Sequence, residues 1–398
     1  MIDSLEDSSK TAPRNVVILG ATGSIGSSAL EVIRKHPDAL RLVGASAHTR
    51  IDELAAIQRE FSVENLAYNE GSAEELRRAC LGEPTITAGT EGLISLATLE
   101  LADVILVALV GTAGLEPTLA AIRAKKTIAL ANKEVLVMAG KFVMQAAKEN
   151  GVEILPVDSE HNALFQCLEA TQNPAEDVAS LVLTASGGAF RDLPLEDLKN
   201  VTVSEALKHP NWEMGPKVTI DSATMANKGL EIIEAHWLYG FSAEQIEVTT
   251  HTESIVHSLI KFQDGSVLAQ LCPPSMTFPI QYCLLYPQRR ESVQPTLDFK
   301  QPFSLNFRAV DFQRYPCLEL AYSALRQGGI GPTVFNAANE IAVEAFVAGQ
   351  IAFLEISTVI QKTMKAIVPA DPSSLSDVLD ADKRAREIAA SFIPIQTC

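Results

Sequence analysis

The sequence predicts an α/β protein in three parts: a doubly wound parallel sheet, an α+β domain whose sheet is mainly antiparallel, and a C-terminal α-helical bundle. Three observations carry this. Up to Val157, short runs that are apolar throughout alternate with amphipathic helical segments, the pattern of parallel strands covered on both faces. Between Asp158 and Arg290, strand-like runs follow one another with fewer helices between them. From Cys317 onward the spacing is helical with short connections, as in a small bundle.

Taken in order, "NVVILG" reads as a strand from its β-branched run, and "SIGSSALEVIRKH" as a helix because Ile25, Ala29 and Ile33 recur at helical spacing. "LRLVGAS", "LADVILVALVG" and "VEILPVD" are further strands, and "TIALANKE" is a strand running into a loop. "IDELAAIQREF", "LEPTLAAIRAK" and "KFVMQAAKENG" are helices. In the second part "SLVLTAS", "QIEVTTH", "SIVHSLIKF" and "SVLAQLC" are strands, with "FQDGS" a hairpin turn around Asp264-Gly265. Prolines and weak periodicity make residues 291–316 an extended linker. The terminal helices are "LELAYSALRQGG", "TVFNAANEIAVEAFVAGQ", "FLEISTVIQKTMKAI" and "DADKRAREIAASF". The expected organisation is a polar, disordered tail at 1–14 and domains at 15–157, 158–290 and 317–398.

Charge narrows the partners. The 398-residue chain has a formal net charge of −17, from 49 acidic and 32 basic side chains. Such an excess repels phosphate backbones and anionic bilayers, which argues against nucleic acid and membrane as partners. A small phosphorylated molecule would need a locally positive pocket. The six cysteines show no C-x-x-C pair and no histidine at zinc-like spacing, as expected of reduced thiols in a cytoplasmic protein. Residues 1–14 lack the apolar centre of a secretory signal, and no apolar run approaches membrane-spanning length.

The first motif with chemistry is "GATGSIG", Gly20 to Gly26, which follows a strand and opens a helix. Gly20 and Gly23 allow a tight turn and close approach of backbone to a pyrophosphate, and Gly26 lets the helix lie against the strand. The helix N-terminus then offers free N–H groups to the anion. This is a variant of the Rossmann-like dinucleotide fingerprint; the bland alternative is a glycine-rich turn. The second strand leads into "GASAHTR", with Ser46, His48, Thr49 and Arg50 and no acid before Asp52. A cation and hydroxyls suit a 2′-phosphate, so NADPH is favoured over NADH, and Thr49 and Arg50 are candidate cofactor contacts; Arg50 as a solvated loop charge is the alternative.

The second motif is "LPVDSEHNALF". Asp158 or Ser159 could simply cap a helix, with Glu160 favouring its dipole. In an extended segment, however, Asp158 and Glu160 point the same way and could share a cation. "DSATMANKGLEIIEAH" adds Glu231 close behind Asn227 and Lys228. Three carboxylates without cysteine form a hard oxygen site for Mg²⁺ or Mn²⁺, with Co²⁺ a third candidate. "TASGG" and "HPNWEMG" supply Ser186, His209 and Trp212; the tryptophan is either core or a cover over a ligand. His161, His209 and His257 are candidate catalytic residues that could equally be ordinary hydrogen-bonded histidines.

Together "GATGSIG", "ALANKE", "VDSEHNA", "TASGG", "HPNWEMG", "DSATMANKGLE", "HSLIKFQDGSVLAQL", "PIQYCLLYP" and "FNAANEIAVEAF", in this order, resemble the 1-deoxy-D-xylulose 5-phosphate reductoisomerase family over nearly the whole chain. The resemblance implies conversion of 1-deoxy-D-xylulose 5-phosphate to 2-C-methyl-D-erythritol 4-phosphate with NADPH and a divalent cation, by a homodimer. Residues 158–290 would then be the catalytic and dimerisation domain. It implies Asp158, Glu160 and Glu231 as metal ligands. Substrate contacts are implied at Lys133, Ser159, Ser186, His209, Ser222, Asn227 and Lys228, beside the metal-binding Glu160 and Glu231. Cofactor contacts are implied at Thr22, Gly23, Ser24, Ile25, Asn132, Glu134 and Gly215, and His209–Gly215 as a lid with Trp212 closing over the substrate. Lys133, Glu160, His161, His209 and His257 are the catalytic candidates.

The chain departs from the family's common pattern in three places: "HTES" (His251–Ser254) for "HPQS", "QLCPPSM" (Gln270–Met276) for "QLGxPDM", and Glu213 in the lid. The cofactor turn carries His48 and Arg50 where the family often has glycine and asparagine. Two rivals stand beside this reading. One is a plain NAD(P)-dependent dehydrogenase of homoserine type, in which the carboxylates only cap and pack. The other is a non-catalytic nucleotide sensor built on the same cofactor domain.

Overall fold

The computed structural model describes residues 12–212 and 214–394. The chain divides into two compact units. The first comprises residues up to Asn132, with Ala146–Val157 and Met276–Gln294; the second comprises Lys133–Gln145, Asp158–Ser275 and Pro295 onward.

In the first unit, strands β1 (Arg14–Leu19), β2 (Leu40–Ala47), β3 (Asn65–Tyr68), β4 (Thr85–Ala88), β5 (Val104–Val107), β6 (Thr127–Leu130) and β7 (Ile154–Pro156) form one sheet. Its order is β4-β3-β2-β1-β5-β6-β7 and every pairing is parallel. Between the strands run α1 (Ser24–Lys35), α2 (Ile51–Phe61), α3 (Ala73–Ala79), α4 (Gly89–Ala97) and α5 (Leu115–Arg123). All four residues of β5 are buried, as expected of a strand covered on both faces. The four-residue strands β3 and β4, with the short helices α3 and α4, escaped the periodicity reading because so few residues carry too little pattern.

Three stretches differ from the sequence expectation, one being Lys133–Gln145, which was expected within 15–157 and belongs to the second unit. Residues 1–11 of the expected tail lie outside the described residues, but Arg14 opens β1. Its guanidinium donates to Leu284 O at 3.3 Å and Tyr286 O at 3.0 Å. Those carbonyls belong to the helix Thr277–Leu285 and its end, which pack in the first unit, where Cys283 Sγ donates to Pro156 O at 3.1 Å. Residues 276–290 were expected in the second domain; "TFPIQYCLL" is apolar nearly all round, so its pattern names no partner.

The second unit begins with the start of α6 (Lys133–Asn150), a helix interrupted by non-helical Ala139. Lys133 and Glu134, expected in a loop, are therefore on its first turn. There follow α7 (Ser159–Leu168), α8 (Pro174–Asp177), β8 (Val178–Ala185), α9 (Val203–Ala206), α10 (Pro216–Thr224), α11 (Ala226–Tyr239), β9 (Ile246–Thr250), β10 (Val256–Phe262) and β11 (Val267–Leu271). After the first unit's helix Thr277–Leu285, which is α12, come β12 (Arg308–Ala309), α13 (Pro316–Gln327), α14 (Gly331–Val347), α15 (Glu355–Ala366) and α16 (Leu375–Ser391).

The second sheet, ordered β11-β10-β8-β9-β12, is mixed: β8 and β9 are parallel and the other three pairings antiparallel. A parallel pair needs a long crossover, and here that crossover, residues 186–245, carries α10, α11 and most candidate substrate residues. The terminal helices share one continuous core with this sheet, in which Phe335, Leu318, Leu230 and Ile233 are fully buried. Burying Phe335 alone is worth about 2–3 kcal/mol. A Cβ on Gly229 would stand 2.5 Å from Ala321 Cβ, so glycine there is what lets α11 lie on α13. No helix of the described residues is long and apolar enough to cross a membrane.

Candidate active site

The carboxylate centre lies wholly in the second unit. Asp158 is the N-cap of α7, accepting Glu160 N–H at 3.2 Å, and its carboxylate also accepts Lys133 Nζ at 2.5 Å. Capping and gathering of charge are thus done by one side chain. On α11, Asn227, Lys228 and Glu231 fall within one turn. Lys133 Nζ donates to Asn227 Oδ1 and Glu231 Oε1, each at 3.1 Å. Lys228 Nζ pairs with Glu231 Oε2 and lies 3.3 Å from Glu160 Oε2. One oxygen from each of Asp158, Glu160 and Glu231 lies within 4.8 Å of the others. That spacing and all-oxygen donor set fit a hard divalent cation. Glu231 is fully buried, and burying a carboxylate this deeply needs the positive groups that surround it.

Electrostatics follow from these contacts. Burial opposes ionisation of Asp158, but Lys133 and His161 outweigh it and hold the carboxyl well below its usual range. At Glu160 the same contest, won by Lys228 and His257, brings the pKa to about 2. Burial and the neighbouring Asp158 push Glu231 upward.

The three histidines differ. His161 is fully buried; its Nδ1 meets Asp158 Oδ1 at 2.9 Å and its Nε2 meets Glu231 O at 2.8 Å. Both ring nitrogens face acceptors, so despite burial its pKa rises to about 9, with Glu234 and Asp158 as the main charges. His257 donates from Nε2 to Cys272 O at 3.2 Å and stands 3.5 Å from Glu160 through Nδ1. Burial again works against its charge, and the side chains of Cys272 and Glu160 raise it to about 10. His209 is the opposite case. Its Nδ1 accepts N–H from Asn211 at 3.2 Å and Trp212 at 2.9 Å, which requires the neutral ring. Burial and Arg191 lower it to about 4.

Neutral His209 therefore donates from Nε2 to Ser186 Oγ at 2.9 Å, and the same oxygen accepts Gly188 N–H at 3.2 Å. With two donors on its oxygen, the Ser186 hydroxyl proton is left to point at a ligand. Ser159 donates to Glu160 Oε1 at 3.1 Å, and Ser222 sits half-buried on α10. Trp212 lies edge-on to His257, ring centroids 6.2 Å apart. Glu213 lies outside the described residues.

The glycine turn belongs to the first unit. Gly20 has φ +95°, and a Cβ there would meet Ala108 O at 2.5 Å; one on Gly26 would meet Gly20 O at 2.4 Å. Gly23, at the N-cap of α1, is uncrowded, which leaves the N-terminal N–H groups next to Thr22, Ser24 and Ile25 approachable. Asn132 is buried and bonds the carbonyls of Leu109 and Gly111, bracing that loop. Arg50 is paired with Glu53 at 3.1 Å, Thr49 precedes it at the exposed end of β2, and neither meets the residues of the glycine turn in a hydrogen bond or ion pair among the described residues. Glu134 and Gly215 lie in the second unit: Glu134 accepts Lys217 Nζ at 3.3 Å and Gly215 caps α10.

Sequence reasoning missed several participants. Glu234, three residues after Glu231 on the same face of α11, has Oε2 3.5 Å from His161 Nδ1, and burial raises its pKa to about 7. Helical spacing from Glu231 was the available signal. Asn211 was also missed: its amide donates to Thr252 O at 2.7 Å and Ser254 Oγ at 2.8 Å, tying the segment before α10 to the "HTES" turn. No local pattern announces that pairing.

Comparison with known proteins covers both units. The family model described as 1-deoxy-D-xylulose 5-phosphate reductoisomerase matches residues 16–140; its C-terminal domain model matches 154–239; a second, DXP reductoisomerase C-terminal domain, matches 271–388. A relative in Geobacillus kaustophilus named 1-deoxy-D-xylulose 5-phosphate reductoisomerase is 52% identical over 381 residues, covering 95% of this chain and 99% of its own length. Its namesake in Ralstonia nicotianae is 50% identical over 386 residues, covering 95% and 98%. A crystal structure of DOX-P reductoisomerase in complex with NADPH, fosmidomycin and magnesium superposes with a TM-score of 0.90 at 43% identity, covering 95% of this chain and 98% of that one. The Zymomonas mobilis enzyme in complex with NADPH gives 0.89 at 42% identity, with coverage of 96% and 99%. With identity this high running end to end through the glycine turn, the carboxylate centre and the terminal helices, the chain belongs to the 1-deoxy-D-xylulose 5-phosphate reductoisomerase family.

Proposed function

We propose that the chain catalyses the NADPH- and divalent-metal-dependent rearrangement and reduction of 1-deoxy-D-xylulose 5-phosphate to 2-C-methyl-D-erythritol 4-phosphate. One carbon–carbon bond of the substrate breaks and another forms. Hydride from NADPH and a proton then add to the resulting aldehyde, and the cofactor leaves as NADP⁺. The observation that carries the reading is the convergence of Asp158, Glu160 and Glu231 between the half-buried Lys133 and the buried Lys228.

Asp158, Glu160 and Glu231 would hold the cation, Mg²⁺ or Mn²⁺. Bound there, it would supply Lewis-acid polarisation of adjacent substrate oxygens. The chain's own groups do the rest. Lys133 holds a proton beside the carboxylates and can donate it toward negative charge developing on a substrate oxygen. Ser186, oriented by His209, donates its hydroxyl proton to the phosphate together with Ser222, Asn227 and Lys228. These groups give the cluster of hydrogen-bond donors that an acidic chain needs for a phosphorylated ligand. His161 and Ser159 fix the carboxylates, and His257 fixes Glu160. Trp212 covers the bound substrate and keeps water from the aldehyde. Thr22, Gly23, Ser24 and Ile25 bind the NADPH pyrophosphate; Thr49 and Arg50 take the 2′-phosphate side, and Asn132, Glu134 and Gly215 complete the cofactor contacts. We place the active form as a cytoplasmic homodimer.

NADPH oxidation with 1-deoxy-D-xylulose 5-phosphate, before and after chelation, tests this. Turnover is expected to vanish on chelation and return with Mg²⁺ or Mn²⁺. Turnover indifferent to chelation would favour a plain dehydrogenase, and NADPH binding without turnover a sensor.

A further inference from the structure

The "FNAANE" stretch of α14 has no part in the site described above, yet it buries two amides on the packed face of a largely apolar helix. Asn336 and Asn339 are both fully buried. Asn339 Nδ2 donates to Asp221 Oδ1 at 2.9 Å, and Asp221 is itself fully buried on α10. The second oxygen of Asp221 faces Lys217 Nζ at 2.8 Å, and Lys217 reaches on to Glu134 Oε1 at 3.3 Å, one residue from Lys133. The Asn339 carboxamide oxygen makes no hydrogen bond among the described residues. A helix that only needed to pack would carry leucine here, so the donor contact to Asp221 is what this amide supplies.

The other side of α10 is equally constrained. Gly188 has φ +68°, and a Cβ there would stand 2.5 Å from Ala223 Cα and 2.6 Å from Ser222 O. The turn that carries Ser186 thus lies directly on the α10 backbone. Asp221 and Ser222 are successive residues about 100° apart around the helix, so holding Asp221 sets the rotation of α10 and the aim of Ser222. We propose that Asn339 is a positioning residue: through Asp221 it holds α10 against the Gly188 turn, which sets the spacing of Ser186 and Ser222 for the substrate phosphate. This rests on the phosphate role given to those serines above.

The test is steady-state kinetics of the full-length enzyme with Mg²⁺, using N339L, N339D and the swap D221N/N339D. N339L removes the donor, and N339D sets a second carboxylate against Asp221. The swap restores one amide facing one carboxylate, while Lys217 keeps Glu134. Both single variants are expected to raise KM for 1-deoxy-D-xylulose 5-phosphate about tenfold or more, the scale of losing one hydrogen bond to a charged group. KM for NADPH should stay within about threefold, and the swap should recover most of the loss, as coupled residues do in a double-mutant cycle. Hydrogen exchange should quicken in 216–224 in the single variants and return to normal in the swap. An unchanged substrate KM in folded single variants, or kcat and both KM values worsening together without rescue, would overturn the positioning role. Wild-type enzyme without turnover would instead overturn the functional reading beneath it.

Discussion

Glu231→Gln separates the cost of the site from its use. Glu231 is fully buried and its two oxygens take Lys133, Lys228 and Asn227. Replacing a buried carboxylate usually strands its partners and costs about 3–5 kcal/mol. Here neither lysine is stranded: Lys133 keeps Asp158 at 2.5 Å and Lys228 keeps Glu160 at 3.3 Å. Glutamine also keeps an oxygen for the Asn227 amide and Lys133, while its NH₂ faces Lys228, which turns to Glu160. Burial already disfavours the charged form of Glu231, so the amide relieves part of that penalty. The expected loss of stability is therefore small, about 1 kcal/mol. The loss of function is not small. One of three anionic oxygens leaves the cation site, and affinity should fall by about 100-fold, or about 2.7 kcal/mol. Calorimetric titration with Mn²⁺, turnover against Mg²⁺ concentration and thermal melting measure the three quantities. Metal affinity within threefold of wild type, or a melting loss that matches the activity loss, would refute the reasoning.

Three further outcomes are expected. Trp212→Ala should lower kcat/KM by about tenfold or more while leaving the melting temperature within about 2 °C, because the ring touches His257 and is only half-buried; a large melting loss would make Trp212 core. Lowering of the His209 pKa to about 4 means that its contribution is present above its ordinary 6.5 and is lost as pH falls toward 4. Acid should then release the Trp212 segment, read as a fluorescence transition in that window that His209→Asn abolishes. Gly140→Ala should destabilise the second unit by about 1–3 kcal/mol in urea unfolding, since its Cβ would sit 2.4 Å from the Trp237 ring; Trp237→Phe in the same chain should recover part of the loss.

The first unit was largely readable because its longer strands are buried on both faces and its longer helices are amphipathic, so periodicity names those elements, though not β3, β4, α3 and α4. The glycine turn was readable for a related reason, since Gly20 and Gly26 answer backbone contacts that any side chain would break. What periodicity does not carry is partnership. It gave the strands β8 and β9 but not their parallel pairing, and it gave neither α12 nor the unit that α12 packs in. In the site, the three carboxylates could be gathered from sequence because few residue types suit a hard cation. Asn211, Asp221 and Asn339 could not, because each works through one long-range hydrogen bond between segments that no local pattern connects. Arg50, chosen from sequence as a phosphate contact, is paired with Glu53.

The most direct test of the account is Mn²⁺ binding followed by electron paramagnetic resonance in wild type and in Asp158→Asn, Glu160→Gln and Glu231→Gln. The account predicts one site per chain, displaced by Mg²⁺ and weakened in all three variants while NADPH affinity holds. A tight site that survives all three substitutions, or no site in the wild type, would contradict it.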